Sequence, residues 1–427
     1  MSAQGSRIHT GSRTDQNAAS SSGRQAGLER LRIVATLLVV WLHATIAYIA
    51  IPLPGLAWPV HEASNSWLIN VSFWFIQSSI MPLFFVLSGI AAFHLWSKKS
   101  PIEFLKHRLF RLGGPLLAGT ILVLPFDMYL WAIGWVVTGR YEPVKLKSLK
   151  FSDADSQMFF GFAHLWYLVA LFIISALACL AMVSQQRVVT WWRSRRDIEG
   201  VLRFPSQRHR VWKSTLLAIT FMGLAVGFFY LSPRMTLGFK HGFEPHVTHV
   251  AYYAIFFATG WWMTTSQLRL SHPWVFCILA LAMFVPAYAS SHQYLSSGEM
   301  DHASYVASSA LIPMTAVLTV AAAIGWALKS QRELTPRETY LSQMSLWIYL
   351  AHHPLVGGMQ TLLYFVTLPV ILKAVCAMAV SVTFCALSYR WVRRGMIAKL
   401  MYGRNMPSLA EIEAANVQIT ETIRRAA

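Results

Sequence analysis

Charged residues are scarce in this 427-residue sequence, and acidic residues are the scarcest. Asp, Glu, Lys and Arg together make up 13% of the chain, with 18 acidic against 36 basic residues. An ordinary soluble domain carries about 25% charged residues. The shortage therefore excludes a soluble globular protein of this length.

Cysteines and the common nucleotide-binding motifs are also rare or absent. The four cysteines, Cys179, Cys277, Cys376 and Cys385, all fall in apolar segments and show no CxxC spacing. This pattern excludes a disulfide framework and a cysteine zinc site, and it is typical of packing residues. The sequence contains no P-loop, no GxGxxG and no internal repeat of about 20 to 50 residues.

Long apolar runs, by contrast, are abundant. Apolar residues make up 55% of the chain, and the mean hydropathy is +0.46. This composition predicts a polytopic membrane protein, an all-α bundle of transmembrane helices. About ten spans are predicted, at 31–50, 67–96, 112–137, 159–183, 213–231, 247–265, 274–289, 303–328, 341–365 and 368–392.

The distribution of positive charge predicts how the bundle lies in the membrane. If the N-terminus is cytoplasmic, most of the 36 Lys and Arg residues fall in cytoplasmic segments, as the positive-inside rule requires. An even number of spans then leaves both termini in the cytoplasm. Because this topology explains the net charge of +18, the charge indicates no nucleic-acid partner. We expect a disordered cytoplasmic tail at 1–27, a membrane domain at 28–395, and a cytoplasmic tail with a short surface helix at 396–427.

The first predicted span carries two ionisable residues on one face. Arg32 and His43 are 11 positions apart, which at about 100° per residue is three helical turns plus roughly 20°. With a rise of about 1.5 Å per residue, His43 lies roughly 16 Å deeper than Arg32, near the middle of the bilayer. An ionisable group at that depth is costly, so His43 is a candidate functional residue. The alternative is a histidine hydrogen-bonded to a neighbouring helix for packing alone.

A basic hairpin follows the second predicted span. Arg108 and Arg111 are three positions apart, so on a helix both side chains can bind the same polyanion. The alternative is that these charges only contact lipid headgroups, as those of any cytoplasmic loop can. Ser88 and Gly89, near the end of the second span, allow a close approach of another backbone. Three lysines surround the arginine pair: Lys98, Lys99 and Lys106.

Asp127 lies well inside the third predicted span. A carboxylate at that depth needs a partner, for which His43 or an arginine is the natural candidate. A carboxylate that accepts one imidazole N–H fixes the tautomer and leaves the other ring nitrogen free as a base. The alternative is that Asp127 accepts hydrogen bonds from hydroxyl groups or faces an outer vestibule.

Three further histidines fall at positions where they could contact a substrate. His352 and His353 lie in the ninth span at the depth of His43, and neighbouring helix positions differ by about 100°, so we expect only one to face the bundle interior. Pro354 frees a backbone carbonyl upstream and opens a polar spot in that helix. His164, at the outer start of the fourth span, meets either an acceptor substrate or merely water.

Taken in order, these motifs resemble the acyltransferase-3 family of integral-membrane proteins. The resemblance covers roughly residues 28–395, and HLWYL at 164–168 and HHPL at 352–355 look most like the branch associated with succinylation of periplasmic glucans. Two positions depart from the family pattern: Glu29 stands where Asp is common, and Ile90 where an aromatic residue is common. The shared features are Arg32-x10-His43, the Ser88–Gly89 pair in FFVLSG, RLFR at 108–111 followed by a proline, and YLxHHP in the ninth span.

The resemblance implies a membrane O-acyltransferase. Such an enzyme takes an acyl group, succinyl or acetyl, from cytoplasmic acyl-CoA and delivers it to a hydroxyl of a glycan at the outer face, without a bound cofactor or metal. The donor substrate would be acetyl-CoA or succinyl-CoA. The implied partners are acyl-CoA, the glycan or other hydroxyl acceptor, the lipid bilayer and glycan-synthesis machinery, and the implied location is the inner membrane of a Gram-negative cell.

The same resemblance implies roles for individual residues. His43 would act as general base on the acceptor hydroxyl or on a relay to it. Arg108 and Arg111 would bind the phosphates of coenzyme A, and Arg32 would hold the pantetheine or phosphate end in register. One of the two adjacent histidines of the ninth span, when protonated, would meet the free carboxylate of succinyl-CoA. The expected site residues are His43 and Asp127 for catalysis, and Arg32, Ser88, Arg108, Arg111, His164, His352 and His353 for substrate binding.

The sequence leaves three alternatives open. Direct transfer and a covalent acyl-histidine intermediate would use the same residues. A proton-coupled secondary transporter of a small polar solute or glycan precursor would also carry intramembrane His and Asp, but it predicts inverted repeats with paired broken helices, which the sequence does not show. A structural or signalling membrane protein would make the register of Arg32 and His43 a coincidence.

Overall fold

The chain folds into a helical bundle. The computed structural model describes residues 11–195, 207–237, 242–266, 270–297, 299, 301–330 and 332–426, and those residues form helices and connecting loops without a β-strand. The four cysteines are free thiols, as the sequence predicts. The main helices are α1 (Gly11–Thr45), α2 (Trp67–Trp96), α3 (Pro101–Val137), α4 (Trp166–Arg195), α5 (Gln207–Leu231), α6 (Val247–Ser266), α7 (Pro273–Ser297), α8 (His302–Leu328), α9 (Pro336–Leu363), α10 (Val370–Val392), α11 (Gly395–Tyr402) and α12 (Leu409–Ala426).

Each of the ten predicted hydrophobic segments coincides with one of the helices α1 to α10. By length and composition, seven helices in the described part of the chain are able to cross a membrane, so the polytopic class is confirmed. Thr215–Leu231 in α5 is a shorter apolar helix. A count of ten spans, and the side on which the termini lie, therefore stay predictions. The seven are Gly23–Tyr48, Trp67–Trp96, Pro101–Val137, Ala163–Val188, Pro273–His292, His302–Leu328 and Val370–Val392.

Helix α9 lies inside the bundle and carries many buried polar side chains. It packs against α1, α3 and α10. A polar group on such a helix can find a protein partner and never has to face lipid. The buried polar side chains of α9 are Ser342, Ser345, His352, His353, Gln360 and Thr361.

Helix α3 is interrupted by two π-helical turns, at Leu109–Gly113 and Gly119–Val123. A proline in a helix clashes with the carbonyl four residues upstream. That carbonyl belongs to Arg111 for Pro115 and to Ile121 for Pro125. Each carbonyl lies within one of the π turns, whose wider geometry avoids the clash with the proline ring. The two prolines thus explain the π turns, a feature often found at functional sites.

The crossing of α2 and α6 depends on two glycines. A Cβ atom at Gly89 would lie 2.0 Å from the backbone oxygen of Phe257, and one at Gly260 would lie 2.1 Å from that of Val86. The close backbone approach expected at Ser88–Gly89 is therefore present, and it holds the two helices in direct contact.

An ion pair between Arg30 and Glu338 joins α1 to the N-terminal end of α9. Thr335 and Glu338 form a capping box at the start of α9. Arg30 Nε donates to Glu338 Oε1 at 2.8 Å, and its Nη1 donates to Ser330 Oγ at 2.8 Å. The hydrogen bond from Arg30, with those at Thr335, lowers the pKa of Glu338 from its usual 4.5 to about 2.

The two ends of the chain contain helix beyond the predicted membrane domain. Helix α1 begins at Gly11, within the segment 1–27 that the sequence predicts to be disordered, and residues 1–10 lie outside the described residues. At the other end, α11 and α12 follow α10, and Ser408 caps the start of α12 by accepting from the Glu411 N–H. The division into two tails and one membrane domain stays a prediction.

Candidate active site

His43 lies on the wall of an internal cavity. Its Nδ1 lies 2.8 Å from the carbonyl oxygen of Val39 and 3.3 Å from His352 Nε2. His352 Nδ1 faces the carbonyl oxygens of Ile348 and Tyr349, at 2.9 and 2.8 Å, so it must be the protonated nitrogen of that ring. His352 Nε2 is then an acceptor, which assigns the proton of His43 to Nδ1. The lone pair of His43 therefore lies on Nε2, in a side chain that is only partly buried and lines the cavity.

Asp127 pairs with His353, where the sequence suggested His43 or an arginine. Both carboxylate oxygens lie 2.9 Å from His353 Nδ1, and the two side chains are 3% and 5% exposed. The prediction that Asp127 orients an imidazole is therefore correct, but the imidazole is that of His353, whereas His43 was expected. The partner comes from α9, 226 positions further along the chain, so no local pattern could reveal it.

Both histidines of α9 face the bundle interior, so the expectation that only one would do so is wrong. The rings of His352 and His353 each lie 5.0 Å from the His43 ring, centroid to centroid. Because α9 is enclosed by other helices, two directions about 100° apart both point into protein. His353 lines the cavity, whereas His352 is 0% exposed and is not among the lining residues. These contacts favour a hydrogen-bonded cluster over a site for a substrate carboxylate.

His164 joins this cluster and does not face open water. Its ring stacks on His353 with centroids 4.6 Å apart and planes 17° apart, and it is 6% exposed. His164 Nε2 donates to the Leu350 carbonyl at 3.0 Å, while Tyr349 Oη donates to the His164 carbonyl at 2.6 Å. The reciprocal bonds hold the start of α4 against α9. The preceding residue, Ala163, has a φ of +44°, a strained value for a residue with a Cβ.

The cluster of Asp127, His164 and His353 brings three potential ligand atoms within 4.8 Å of one another. A metal requires ring lone pairs that converge on one point at about 2.0–2.1 Å. The imidazole planes of His164 and His353 are nearly parallel and stacked, so their in-plane lone pairs run side by side instead of converging. His353 Nδ1 is also engaged with the carboxylate. The arrangement fits a hydrogen-bonded cluster better than a metal site.

Trp58 and Gln360 complete the cluster and were not identified from the sequence. Trp58 Nε1 donates to Gln360 Oε1 at 2.6 Å. Gln360 Nε2 donates to the carbonyl oxygens of His43 and Ala44, at 3.0 and 2.9 Å. The Trp58 ring packs 5.0 Å from the His353 ring and 5.9 Å from that of His43. A buried amide deep in an apolar span was the available signal for Gln360; Trp58 lies in a loop and gave none.

The cavity reaches from one end of the bundle to the other. It has a volume of about 730 Å³ and is lined by Lys98 and Lys99 beyond the end of α2. It is also lined by Glu244 and His249 at the start of α6. Since α2 and α6 run parallel, with Phe85 against Tyr253 in their middle and Trp96 against Trp261 towards their C-terminal ends, these residues lie at opposite mouths. His43 lies on the wall between the mouths.

The two arginines of the basic hairpin occupy different depths along this cavity. Arg111 is exposed, while Arg108 is 8% exposed, with Nη2 3.4 Å from the Ser88 carbonyl oxygen. Ser88 Oγ and Tyr167 Oη are 2.8 Å apart, beside Arg108. All four side chains line the cavity. Arg111 therefore places a positive charge at the mouth of the cavity, and Arg108 places one in its interior.

Arg32 lies on the cavity wall and is held by Glu29 of its own helix and by Ser342 of α9. It forms an ion pair of 2.6 Å with Glu29, one turn away, and donates to Ser342 Oγ at 2.6 Å. Ser342 Oγ in turn contacts Glu29 Oε2 at 2.6 Å. The glutamate that departs from the family pattern thus orients Arg32. Arg32 and His43 both line the cavity, as their shared helix face predicts.

Comparison with known proteins agrees with this architecture. A family model described as an acyltransferase domain matches residues 25–390. Curated relatives named Glucans biosynthesis protein C, from Salmonella paratyphi B (strain ATCC BAA-1250 / SPB7), Salmonella dublin and Salmonella enteritidis PT4, are each 23% identical over 348 residues. Each alignment covers 78% of this chain and 82% of the relative. No solved structure matches the chain significantly.

Proposed function

The chain belongs to the acyltransferase-3 family, and from this premise we propose that it moves a succinyl or acetyl group from cytoplasmic acyl-CoA to a hydroxyl of a glycan at the outer face of the inner membrane. Family membership makes the protein an acyltransferase and leaves the transporter alternative without support. The glucan relatives favour a glycan acceptor. The observation that carries the proposal is the partly exposed His43 on a cavity that opens at both ends of the bundle.

The basic mouth suits the nucleotide end of the donor. Lys98, Lys99 and Arg111 are exposed there and line the cavity. Cations at a mouth attract a polyanion and bind its phosphates through charge-assisted hydrogen bonds. Arg108 and Arg32, further in, would contact the part of the donor between the phosphates and the thioester.

The geometry of His43 fits a general base. His43 Nε2 takes the proton of the acceptor hydroxyl as its oxygen attacks the thioester carbonyl carbon. A C–O bond forms, the C–S bond breaks, and the departing thiolate of coenzyme A receives the proton from His43. The imidazolium that exists between these steps is stabilised by the nearby carboxylate of Asp127. In the covalent alternative, Nε2 attacks the thioester and is acylated first, and the hydroxyl then displaces the imidazole.

Thiol release tests the proposal directly. Purified protein in nanodiscs is given acetyl-CoA or succinyl-CoA, with and without a glucan acceptor, and free coenzyme A is measured. We expect release that requires the acceptor for one of the donors, and a loss of at least about 100-fold in His43→Ala. His302→Ala, an exposed histidine away from the cavity, is the control and should retain full activity. Folded wild-type protein that releases thiol from neither donor would contradict the proposal.

The direction of transfer requires a specific topology, with both termini and the basic mouth in the cytoplasm. Reporter fusions after residues 98 and 405 should show a cytoplasmic location, and a fusion after residue 150 a periplasmic one. A periplasmic signal from the basic hairpin would place the donor site on the wrong side for cytoplasmic acyl-CoA.

A further inference from the structure

The mouth of the cavity opposite Lys98 and Lys99 has its own chemistry. Two segments meet there, one just before α4 and one just before α6. The Phe162 N–H donates to the Gly242 carbonyl oxygen at 3.2 Å, which joins the segments. We call this mouth the outer lip; its residues are Phe162, Phe243, Glu244, His246 and His249.

Two aromatic rings form one side of the outer lip. The rings of Phe162 and Phe243 are 5.2 Å apart and nearly perpendicular. Phe243 is 51% exposed. Both rings line the cavity, and aromatic side chains in a cavity wall commonly contact a ligand. The apolar face of a sugar ring packs well on such a surface.

Charge separates the outer lip from the basic mouth. Among the described residues that line the cavity, Glu244 is the one carboxylate, and the lysines and arginines lie towards the other end. Glu244, His246 and His249 together supply hydrogen-bond acceptors and donors suited to hydroxyl groups. An anionic ligand is favoured at the basic mouth and disfavoured at the outer lip.

The outer lip is close to the histidine cluster along the chain. Phe162 precedes His164 by two residues, so their Cα atoms are at most about 7 Å apart. The ring of His164 stacks on His353, which lies 5.0 Å from the ring of His43. A ligand resting on Phe162 would therefore lie within a short reach of the cluster.

We propose that the outer lip is the acceptor subsite and that it binds a neutral sugar ring against Phe162 and Phe243, with hydroxyls directed to Glu244 and the two histidines. This inference rests on the proposed acyl transfer for its purpose, but the binding itself can be measured without any reaction. The ligand of the outer lip is a neutral oligosaccharide, because the carboxylate of Glu244 repels acidic sugars. The anionic donor binds at the basic mouth instead.

Direct binding of a sugar tests the subsite. Protein in nanodiscs is titrated with a fluorescently labelled neutral glucose oligosaccharide and with the same oligosaccharide carrying carboxymethyl groups. We expect the neutral form to bind more tightly. Phe243→Ala should weaken that binding about tenfold, and the double variant with Phe162→Ala by more. Phe365→Ala is the matched control, since Phe365 is 75% exposed and does not line the cavity.

A charge reversal gives a second test. Glu244→Lys should reduce the preference for the neutral oligosaccharide over the carboxymethylated one, while the affinity for acyl-CoA stays within about twofold of the wild type. Wild-type protein that does not bind the neutral oligosaccharide, or a Phe243→Ala variant that binds it normally, would overturn the subsite. Sugar binding without thiol release from any donor would instead refute acyl transfer and leave the subsite intact.

Discussion

The carboxylate of Asp127 accepts a hydrogen bond from His353 Nδ1 at 2.9 Å, with both side chains almost fully buried. This bond fixes the ring of His353 between His43 and His164, whose centroids lie 5.0 and 4.6 Å away. The pair thus orders a cluster of rings drawn from three separate helical segments. His43 owes its position to this cluster as well as to its own helix.

Removing the charge of Asp127 should affect the reaction more than donor binding. In Asp127→Asn the amide can no longer hold a positive charge nearby or fix the His353 ring with two equivalent oxygens. We expect the rate of thiol release to fall about 10- to 100-fold, with the affinity for labelled acyl-CoA unchanged. Asp153→Asn, at an exposed position at the start of the short helix Asp153–Phe159, is the control. An equal loss in both variants would refute the role of the pair.

Gln360→Leu should destabilise the bundle. The change leaves the Trp58 indole N–H and the carbonyls of His43 and Ala44 without their present partner. Each buried polar group left unpaired costs about 1–3 kcal/mol, so the melting temperature in detergent should fall. Gln185→Leu, on an exposed face of α4, should melt like the wild type. An unchanged melting temperature for Gln360→Leu would show that these bonds are dispensable.

The ion pair between Arg30 and Glu338 should make stability depend on pH in the acid range. The folded-state pKa of Glu338 is lowered from 4.5 to about 2, so the stabilisation is complete above pH 4.5 and is lost as the pH falls towards 2. The melting temperatures of wild type and Glu338→Gln should differ most above pH 5 and converge near pH 2. A difference that stays constant over this range would contradict the assignment.

Gly260→Ala should disrupt the contact between α2 and α6. Its Cβ would lie 2.1 Å from the backbone oxygen of Val86, and neither helix backbone can yield without moving the other. Overpacking of this kind costs about 1–3 kcal/mol. We expect a lower yield of monodisperse protein in size-exclusion chromatography. Gly223→Ala, which meets nothing within 4 Å, should keep the wild-type yield; equal yields for both variants would refute the contact.

Local sequence information predicted the helices well. Length and hydropathy located the ten helices α1 to α10, because both properties depend on neighbouring residues only. The shared face of Arg32 and His43 followed from helix geometry in the same way, and both residues line the cavity.

Long-range packing could not be predicted in the same way. The partner of Asp127 lies on another helix, and both His352 and His353 face inwards because α9 is surrounded by protein. Trp58 reaches the cluster from a loop whose course the sequence does not indicate. The π turns before Pro115 and Pro125 shift the register of α3, so a regular helix misplaces the side chains around them.

A cavity lined from one mouth to the other also bears on the ion gradient of the membrane. Water in a continuous column would conduct protons, and the enzyme would discharge the gradient whenever both substrates were absent. The lining includes large aromatic rings, among them Phe84, Tyr167, Tyr253 and Tyr349, and a passage resists wetting where such rings close it to an apolar constriction. The permeability barrier of the cell therefore limits how widely this passage can open to admit its substrates.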